Sequence, residues 1–290
     1  MPFASIKNWP VLDHPILVLG MEGWIDAGAA GSQAVSTLLD AFPREVVATF
    51  DSDALIDHRS RRPIVRISNG IHGPLVWPEL RLCAATETGG RSLLILAGPE
   101  PDLRWHEWSD EVVALGQRLG VELVVGLGAF PAPVPHTRPV RLAASASNEP
   151  LARSIGFVPV TIDVPAGAQA VLEVAFGRAG VPSVGVWARV PHYVSGSSYP
   201  EAAAALLDKL GELAALHIDT SQLHEAGRVA LQQIQALIEA SEEHQEMVRK
   251  LEAQHDSEVG AAPSGFGDLP SGDEIAAELE KFLRGEGYRE

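Results

Sequence analysis

Acids and arginines gather at a few places along this chain, and their types and spacing allow two kinds of chemistry. Asp51, Asp53 and Asp57 stand close together and are followed at once by Arg59, Arg61 and Arg62. Paired carboxylates can divide general-acid and general-base work when their surroundings push their pKa values apart. Arginine forks match carboxylate and phosphate oxygens, so the same cluster could hold an anionic or polar ligand, or pair with its own acids. Glu22 and Asp26 flank Trp24, and Glu100, Asp102 and Arg104 follow Gly98-Pro99. His136 and His192 each follow a proline, with Arg138 and Tyr193 close behind. A histidine so placed either exchanges protons near neutral pH or anchors its loop by hydrogen bonds.

These groups need elements to bring them together. Ile16–Leu19 is an apolar run of strand length, followed by Gly20 and Gly23 and then by an alanine-rich helix that Asp26 is placed to cap. Val46–Phe50 reads as a second strand, giving a strand–helix–strand signature. Ile64–Ile67 and Leu75–Thr86 look extended around the turn signals Asn69-Gly70 and Gly73-Pro74, which predicts a hairpin on the edge of the main sheet. Apolar strands begin again near residues 92, 122 and 183; 107–119 and 167–180 read as helices, and Arg138–Ala144 alternates like a strand. The fold class expected is α/β, a mainly parallel or mixed sheet with helices on both faces, in residues 1–195. Ligands of such sheets bind outside the carboxyl ends of the strands. The polar groups fall there, as a rim of Glu22, Trp24, Asp26, Asp51, Asp53, Asp57, Arg59, Arg61, Arg62, Glu100, Asp102, His136, Arg138, His192 and Tyr193.

From Ser197 the texture changes. Tyr199-Pro200-Glu201 opens a helix to about Leu216, and Asp219-Thr220-Ser221 a second one reaching toward His255. Residues 196–255 are expected as a helical hairpin packed on the sheet. Asp256–Gly272 is rich in Gly, Pro and Ser and reads as a linker. Beyond it Ser271 and Glu274 make a capping box, and Ile275, Leu279, Phe282 and Leu283 share one helical stripe. A helix that short needs a surface to dock on.

Composition narrows the function. The net charge is −16, and residues 241–290 supply thirteen acids against five Lys and Arg. That argues against nucleic acid and against an anionic membrane surface. No apolar run is long enough to span a membrane, so a cytoplasmic protein is expected. The single cysteine, Cys83, lies among Leu82, Ala84 and Ala85 and reads as a buried thiol. There is no Gly-x-Ser-x-Gly elbow and no phosphate loop. Gly126-Leu127-Gly128 follows a strand, but Pro131 stands where a dinucleotide fingerprint needs its third glycine. His224-Glu225 is followed by Arg228 rather than a second zincin histidine, and no Cys/His cluster has metal spacing. Neither a cofactor nor a metal is expected.

Five segments in order carry a resemblance: Gly20-Met-Glu-Gly-Trp-Ile-Asp-Ala-Gly28, Asp51-Ser-Asp53 through Asp57-His-Arg59 to Arg62-Pro63, Gly98-Pro-Glu-Pro-Asp102, Pro135-His-Thr-Arg-Pro139 and Pro191-His-Tyr193. Together they resemble the bacterial branch of the proteasome assembly chaperone 2 family, over about residues 11–255. The resemblance implies a sheet domain like that of purine nucleoside phosphorylases, in the broad phosphorylase/hydrolase-like architecture. It also implies a homo-oligomer, with a trimer favoured, and a role in binding proteasome subunits. It transfers no catalytic residue. The leading expectation is a non-enzymatic protein-binding or assembly factor. A small-molecule hydrolase or phosphorylase using the rim, and a structural homo-oligomer whose rim is an interface, stand beside it.

Overall fold

The computed structural model describes residues 2–87, 89–157 and 161–260. Its strands are β1 (Ala4–Ile6), β2 (Ile16–Glu22), β3 (Arg44–Phe50), β4 (Ile64–Ser68), β5 (Ile71–Val76), β6 (Arg81–Thr86), β7 (Ser92–Pro99), β8 (Leu123–Ala132), β9 (Leu142–Ala146) and β10 (Ser183–Pro191). The helices are α1 (Ala30–Ala41), α2 (Ser52–Leu55), α3 (Trp105–Arg118), α4 (Glu149–Ile155), α5 (Ala168–Arg178), α6 (Pro200–Ala214), α7 (Ser221–Glu239) and α8 (Glu242–Gly260).

Eight strands form one mixed sheet in the order β1-β3-β6-β7-β2-β8-β10-β9. β7, β2, β8 and β10 are parallel neighbours, while β6 is antiparallel to both β3 and β7. β3 therefore points the same way as β2, and α1 carries the chain across two strands between them. The carboxyl ends of β2, β3, β7, β8 and β10 meet at one margin of the sheet.

The pleat sorts the core. Ile16 and Val18 point to one face with α1 and α6, where Ala30, Ala34, Leu38, Leu206, Leu207 and Leu210 are buried. Leu17 and Leu19 point to the other, against Trp108 and Val112 of α3 and Leu172 and Phe176 of α5. The result is an α/β fold with helices on both faces, as the uniformly apolar strands predict. On the first face α7 and α8 add an outer layer through Ile234, Ile238 and Val248. Cys83 is buried in β6.

Gly28 fixes the exit from β2. Its φ is +67°, and a Cβ there would lie 2.6 Å from Cβ of Tyr199. Without one, Gly28 donates its N–H to the Ser195 carbonyl and accepts from the Tyr199 N–H, each at 2.8 Å. The turn after the first long strand is thus laced to the loop that starts α6.

Five local expectations are corrected. The hairpin is β4–β5 alone, a separate two-stranded sheet rather than an edge of the main one. The extended run from Leu75 breaks after Val76, and β6 lies inside the main sheet between β3 and β7. The long second helix is two, parted at Ala240 and Ser241, because Ser241 offers its carbonyl to Gln245 N–H and starts α8 anew. The strand expected at Arg138–Ala144 begins only at Leu142. α8 continues through Gly260, past the expected start of the linker, and the remaining linker and the capping box at Ser271 lie outside the described residues.

Candidate functional site

The sheet margin holds two polar groupings, and both are largely occupied by structural hydrogen bonds. Asp26 accepts from Gly31 N–H at 2.8 Å, Ser32 N–H at 3.0 Å and Ser32 Oγ at 2.5 Å, so it caps α1 across a single 3₁₀ turn. Asp51 caps the short α2 by accepting from Asp53 N–H at 3.0 Å and Ala54 N–H at 3.3 Å. Glu100 is nearly buried at the end of β7, and its Oε2 accepts the Ala168 N–H at 3.0 Å. That carboxylate caps α5, where the helix dipole favours a negative charge. Glu22 accepts at its carbonyl from Glu100 N–H at 3.2 Å. Trp24 is 58% exposed, beside Gly167 and Glu100.

Asp102 organises the next residues. Its Oδ2 accepts the Asp57 N–H at 2.8 Å, and its Oδ1 lies 3.6 Å from an Arg61 guanidinium nitrogen. Arg61 also donates to the Glu100 carbonyl. Asp57 accepts the Arg59 N–H at 2.9 Å, and Asp53 pairs with His58 at 3.1 Å. Arg104 pairs instead with Glu107 on its own helix.

The second grouping is farther along the margin. Tyr193 Oη meets the His136 N–H at 2.8 Å and His136 Nδ1 at 2.7 Å, and His136 Nε2 reaches Gln235 on α7 at 3.0 Å. Burial pushes the Tyr193 phenol up to about 12, so it stays protonated. Arg138 leaves the rim for α8: it meets both carboxylate oxygens of Asp256, at 2.9 and 2.7 Å, and Glu252 at 3.2 Å. The Arg138 hydrogen bonds hold the Asp256 carboxyl down at about 2. His192 is exposed and touches the network only through an edge contact with the Tyr193 ring. The rim therefore joins Glu100, Asp102, Asp57 and Arg61, and separately His136 and Tyr193, while Arg138 is tied to α8.

Arg59 and Arg62 stand outside both groupings, at the base of β4–β5. Every residue of that hairpin is exposed. Ile64 pairs across from Val76, and Val65 from Leu75, so both faces of the ribbon are apolar. Ile64 is 70% exposed, Ile71 73% and Val76 65%; Ile67 is also exposed, as is Trp77 just past the end, its ring edge on His58 at 4.9 Å. From Arg59 to Pro78 the chain carries four arginines and no carboxylate, although its net charge is −16. Among the described residues Arg59, Arg62 and Arg66 make no ion pair. A two-stranded ribbon is marginal in water, and a contiguous apolar surface of this kind marks an interaction site.

One group was missed from the sequence. Glu173, on the sheet-facing side of α5, is buried over Gly126 and Gly185. A Cβ on Gly126 would come within 2.4 Å of Glu173 Oε1, and one on Gly185 within 2.6 Å. Gln169 Nε2 and Ser145 Oγ donate to the carboxylate, but loss of water dominates and raises its pKa to about 7. The glycines that failed as a dinucleotide fingerprint thus make room for this acid, and Gly128 for the Trp187 ring. A lone acid among Leu172, Val174 and Phe176 was the available signal. Among the described residues no group of three His, Cys, Asp or Glu is arranged to hold a metal ion, and no helix is long and apolar enough to cross a membrane.

Comparison with known proteins places the chain in a family. The PAC2 family model matches residues 20–238, and the chain belongs to that family. Among solved structures it is similar to a Mycobacterium tuberculosis protein of unknown function, with 36% identity and a TM-score of 0.83, covering 89% of this chain and 92% of that one. It is similar to a proteasome-assembly chaperone homologue from the same organism, at 33% identity and a TM-score of 0.75, over 80% of this chain and 99% of that one. A PAC2 family protein from Streptomyces avermitilis is 37% identical, with a TM-score of 0.73, over 81% and 99%. No curated protein matches the sequence.

Proposed function

We propose that this PAC2 family member is a non-catalytic protein-binding factor of the assembly-chaperone type, and that it grips its partner with the β4–β5 arm. The observation that carries the reading is the arm itself: two exposed apolar faces, with three arginines at and along it that make no ion pair among the described residues. Such a surface fits a protein partner that offers apolar residues ringed by acids, since charge complementarity speeds encounter and apolar burial holds the complex. The open strand edges of the ribbon add backbone donors and acceptors for β-augmentation.

The rim supports the same reading. Asp26, Asp51 and Glu100 serve as helix caps, and Asp102 positions the base of the arm. Carboxylates engaged in this way orient structure rather than substrate. Proteasome subunits are the partner favoured by similarity to the mycobacterial proteasome-assembly chaperone homologue, with the α-subunits taken as the first to test. The test is co-purification of the full chain with those subunits, compared with an Ile67→Asp/Ile71→Asp variant. Recovery with the first and not the second supports the arm. No recovery with either refutes the partner, and equal recovery refutes the arm.

A further inference from the structure

Between His255 of α8, the loop of residues 134–141 and the end of β10 lies a small, largely enclosed pocket. Its volume is about 10 Å³, room for one water-sized group. Arg138, Arg141, Arg189 and His255 line it, and among the described residues no carboxylate does. In a chain whose net charge is −16, three arginines and a histidine around one point reverse the prevailing sign. A narrow pocket with low-dielectric walls concentrates such a field.

The surrounding contacts fix the arrangement. The Arg189 N–H donates to the Arg141 carbonyl at 3.0 Å, which sets the approach to β9 against β10. Arg138 is held from α8 by both carboxylate oxygens of Asp256, at 2.9 and 2.7 Å, and by Glu252 at 3.2 Å. His255, next to Asp256, has a side chain only 10% exposed. Its Nδ1 lies 3.4 Å from Asp256 Oδ1, while its Nε2 is shut off from solvent and meets no hydrogen-bond partner among the described residues. A buried ring nitrogen in that position costs stability unless a group in the pocket meets it. Each arginine carries five N–H donors, more than contacts with one or two carboxylates engage, and has no acceptor. A wall of donors suits an anion better than a water, which needs acceptors for its own hydrogens. The volume excludes phosphate and sulfate, whose four oxygens need several such spaces.

We propose that this pocket binds one small monovalent anion of the halide class, such as chloride, between His255 Nε2 and the guanidinium groups of Arg138, Arg141 and Arg189. In its doubly protonated form the imidazole donates through Nδ1 to Asp256 and through Nε2 to the anion. The anion thereby joins α8 to the approach to β9 and to β10. Asp256 and Glu252 stand behind Arg138 and complete the charged surroundings. The pocket and the β4–β5 arm share no residue, so either reading can fail alone.

Chlorine-35 NMR of the full chain tests it, at constant ionic strength with sodium gluconate as the balancing salt and at about pH 6, where an ordinary histidine is largely protonated. The native chain broadens the chloride resonance; bromide reverses the broadening and sulfate does not. His255→Phe keeps a ring without its nitrogens and weakens chloride binding at least about tenfold, as loss of one charge-assisted hydrogen bond requires. Arg59→Gln/Arg62→Gln, at exposed arginines outside the pocket, leaves the broadening unchanged. Broadening that survives His255→Phe, or that falls as much in the Arg59→Gln/Arg62→Gln variant, marks an adventitious ion only and overturns the proposal. No broadening by the native chain, or reversal by sulfate, overturns it too. A bromide-soaked crystal of the native chain gives a reading that needs no variant to fold: an anomalous peak is expected beside His255 Nε2, and its absence there contradicts the proposal.

Discussion

Asp102 holds Arg61 at 3.6 Å across the root of the β4–β5 arm, with the other oxygen of the same carboxylate accepting the Asp57 N–H. Both partners precede the arm, and Asp102 sits at the end of the rigid β7. This side chain ties the segment before the ribbon to the loop after β7, beside the Arg61–Glu100 carbonyl bond and the Trp77–His58 ring contact. Asp102→Ala removes both contacts and leaves the Asp57 N–H without its acceptor. The expected loss is about 1–2 kcal/mol, with faster amide exchange at residues 56–62 and unchanged exchange in β7. Unchanged exchange at 56–62 would show that the arm is held by something else.

Asp26 is a structural acid in this account. Asp26→Ala strips the cap from α1 and costs about 1 kcal/mol, whereas Asp26→Asn, which keeps an acceptor, costs less. Denaturant melts of the two variants give the comparison. A loss of binding by both variants with no loss of stability would instead place Asp26 in the interface.

Glu173 makes stability depend on pH. Its folded pKa, about 7, is raised above the ordinary carboxylate value, so the folded state binds the proton more tightly than the unfolded one. The stabilising contribution of the protonated form is complete below about pH 4.5 and is lost as pH rises through about 7. Glu173→Gln keeps the shape without the charge. It is expected to raise stability above pH 7 by about 3 kcal/mol and to make little difference at pH 5. Chemical denaturation at pH 5, 7 and 8.5 reads this directly, and parallel curves for the two proteins would refute it.

The arginines at the arm are expected to govern encounter with an acidic partner. Arg59→Glu/Arg62→Glu reverses two exposed charges with no ion partner to lose, so the melting temperature is expected to stay within a few degrees. The association rate with an acidic partner falls by about tenfold at low salt, and the gap narrows as salt screens it. Surface plasmon resonance at two salt concentrations provides the measurement. A rate insensitive to both changes would mean that the partner surface is not acidic.

The sequence made the sheet's heart legible because β2, β7, β8 and β10 are apolar through their length, which only a doubly covered sheet demands. It misplaced the β4–β6 region because extended segments look alike whether paired or projecting. The continuous apolar run Leu82–Ala85, against the arginine-broken run from Ile64, was the clue that β6 lies inside and β4 outside. The break between α7 and α8 lacked a glycine or proline to announce it, and only Ser241 marked it. The rule that strand ends gather polar groups pointed to the rim residues, but the fold divides them between two groupings and leaves Arg59 and Arg62 in neither. Their pairing was not legible, because the Asp102–Arg61 and Glu100–Ala168 contacts join elements that the chain order keeps far apart. Glu173 was overlooked because it lies inside the sheet–helix contact rather than at a strand end.

The arm is the central claim, and titration calorimetry tests it most directly. Purified proteasome α-subunits are titrated into the full chain and into Ile67→Asp/Ile71→Asp, whose substitutions fall on residues already exposed and leave the core untouched. The account predicts micromolar or tighter binding by the native chain and a loss of at least about tenfold in the variant, about 1.4 kcal/mol or more, with the melting temperature unchanged. Equal affinity for the two proteins would contradict it.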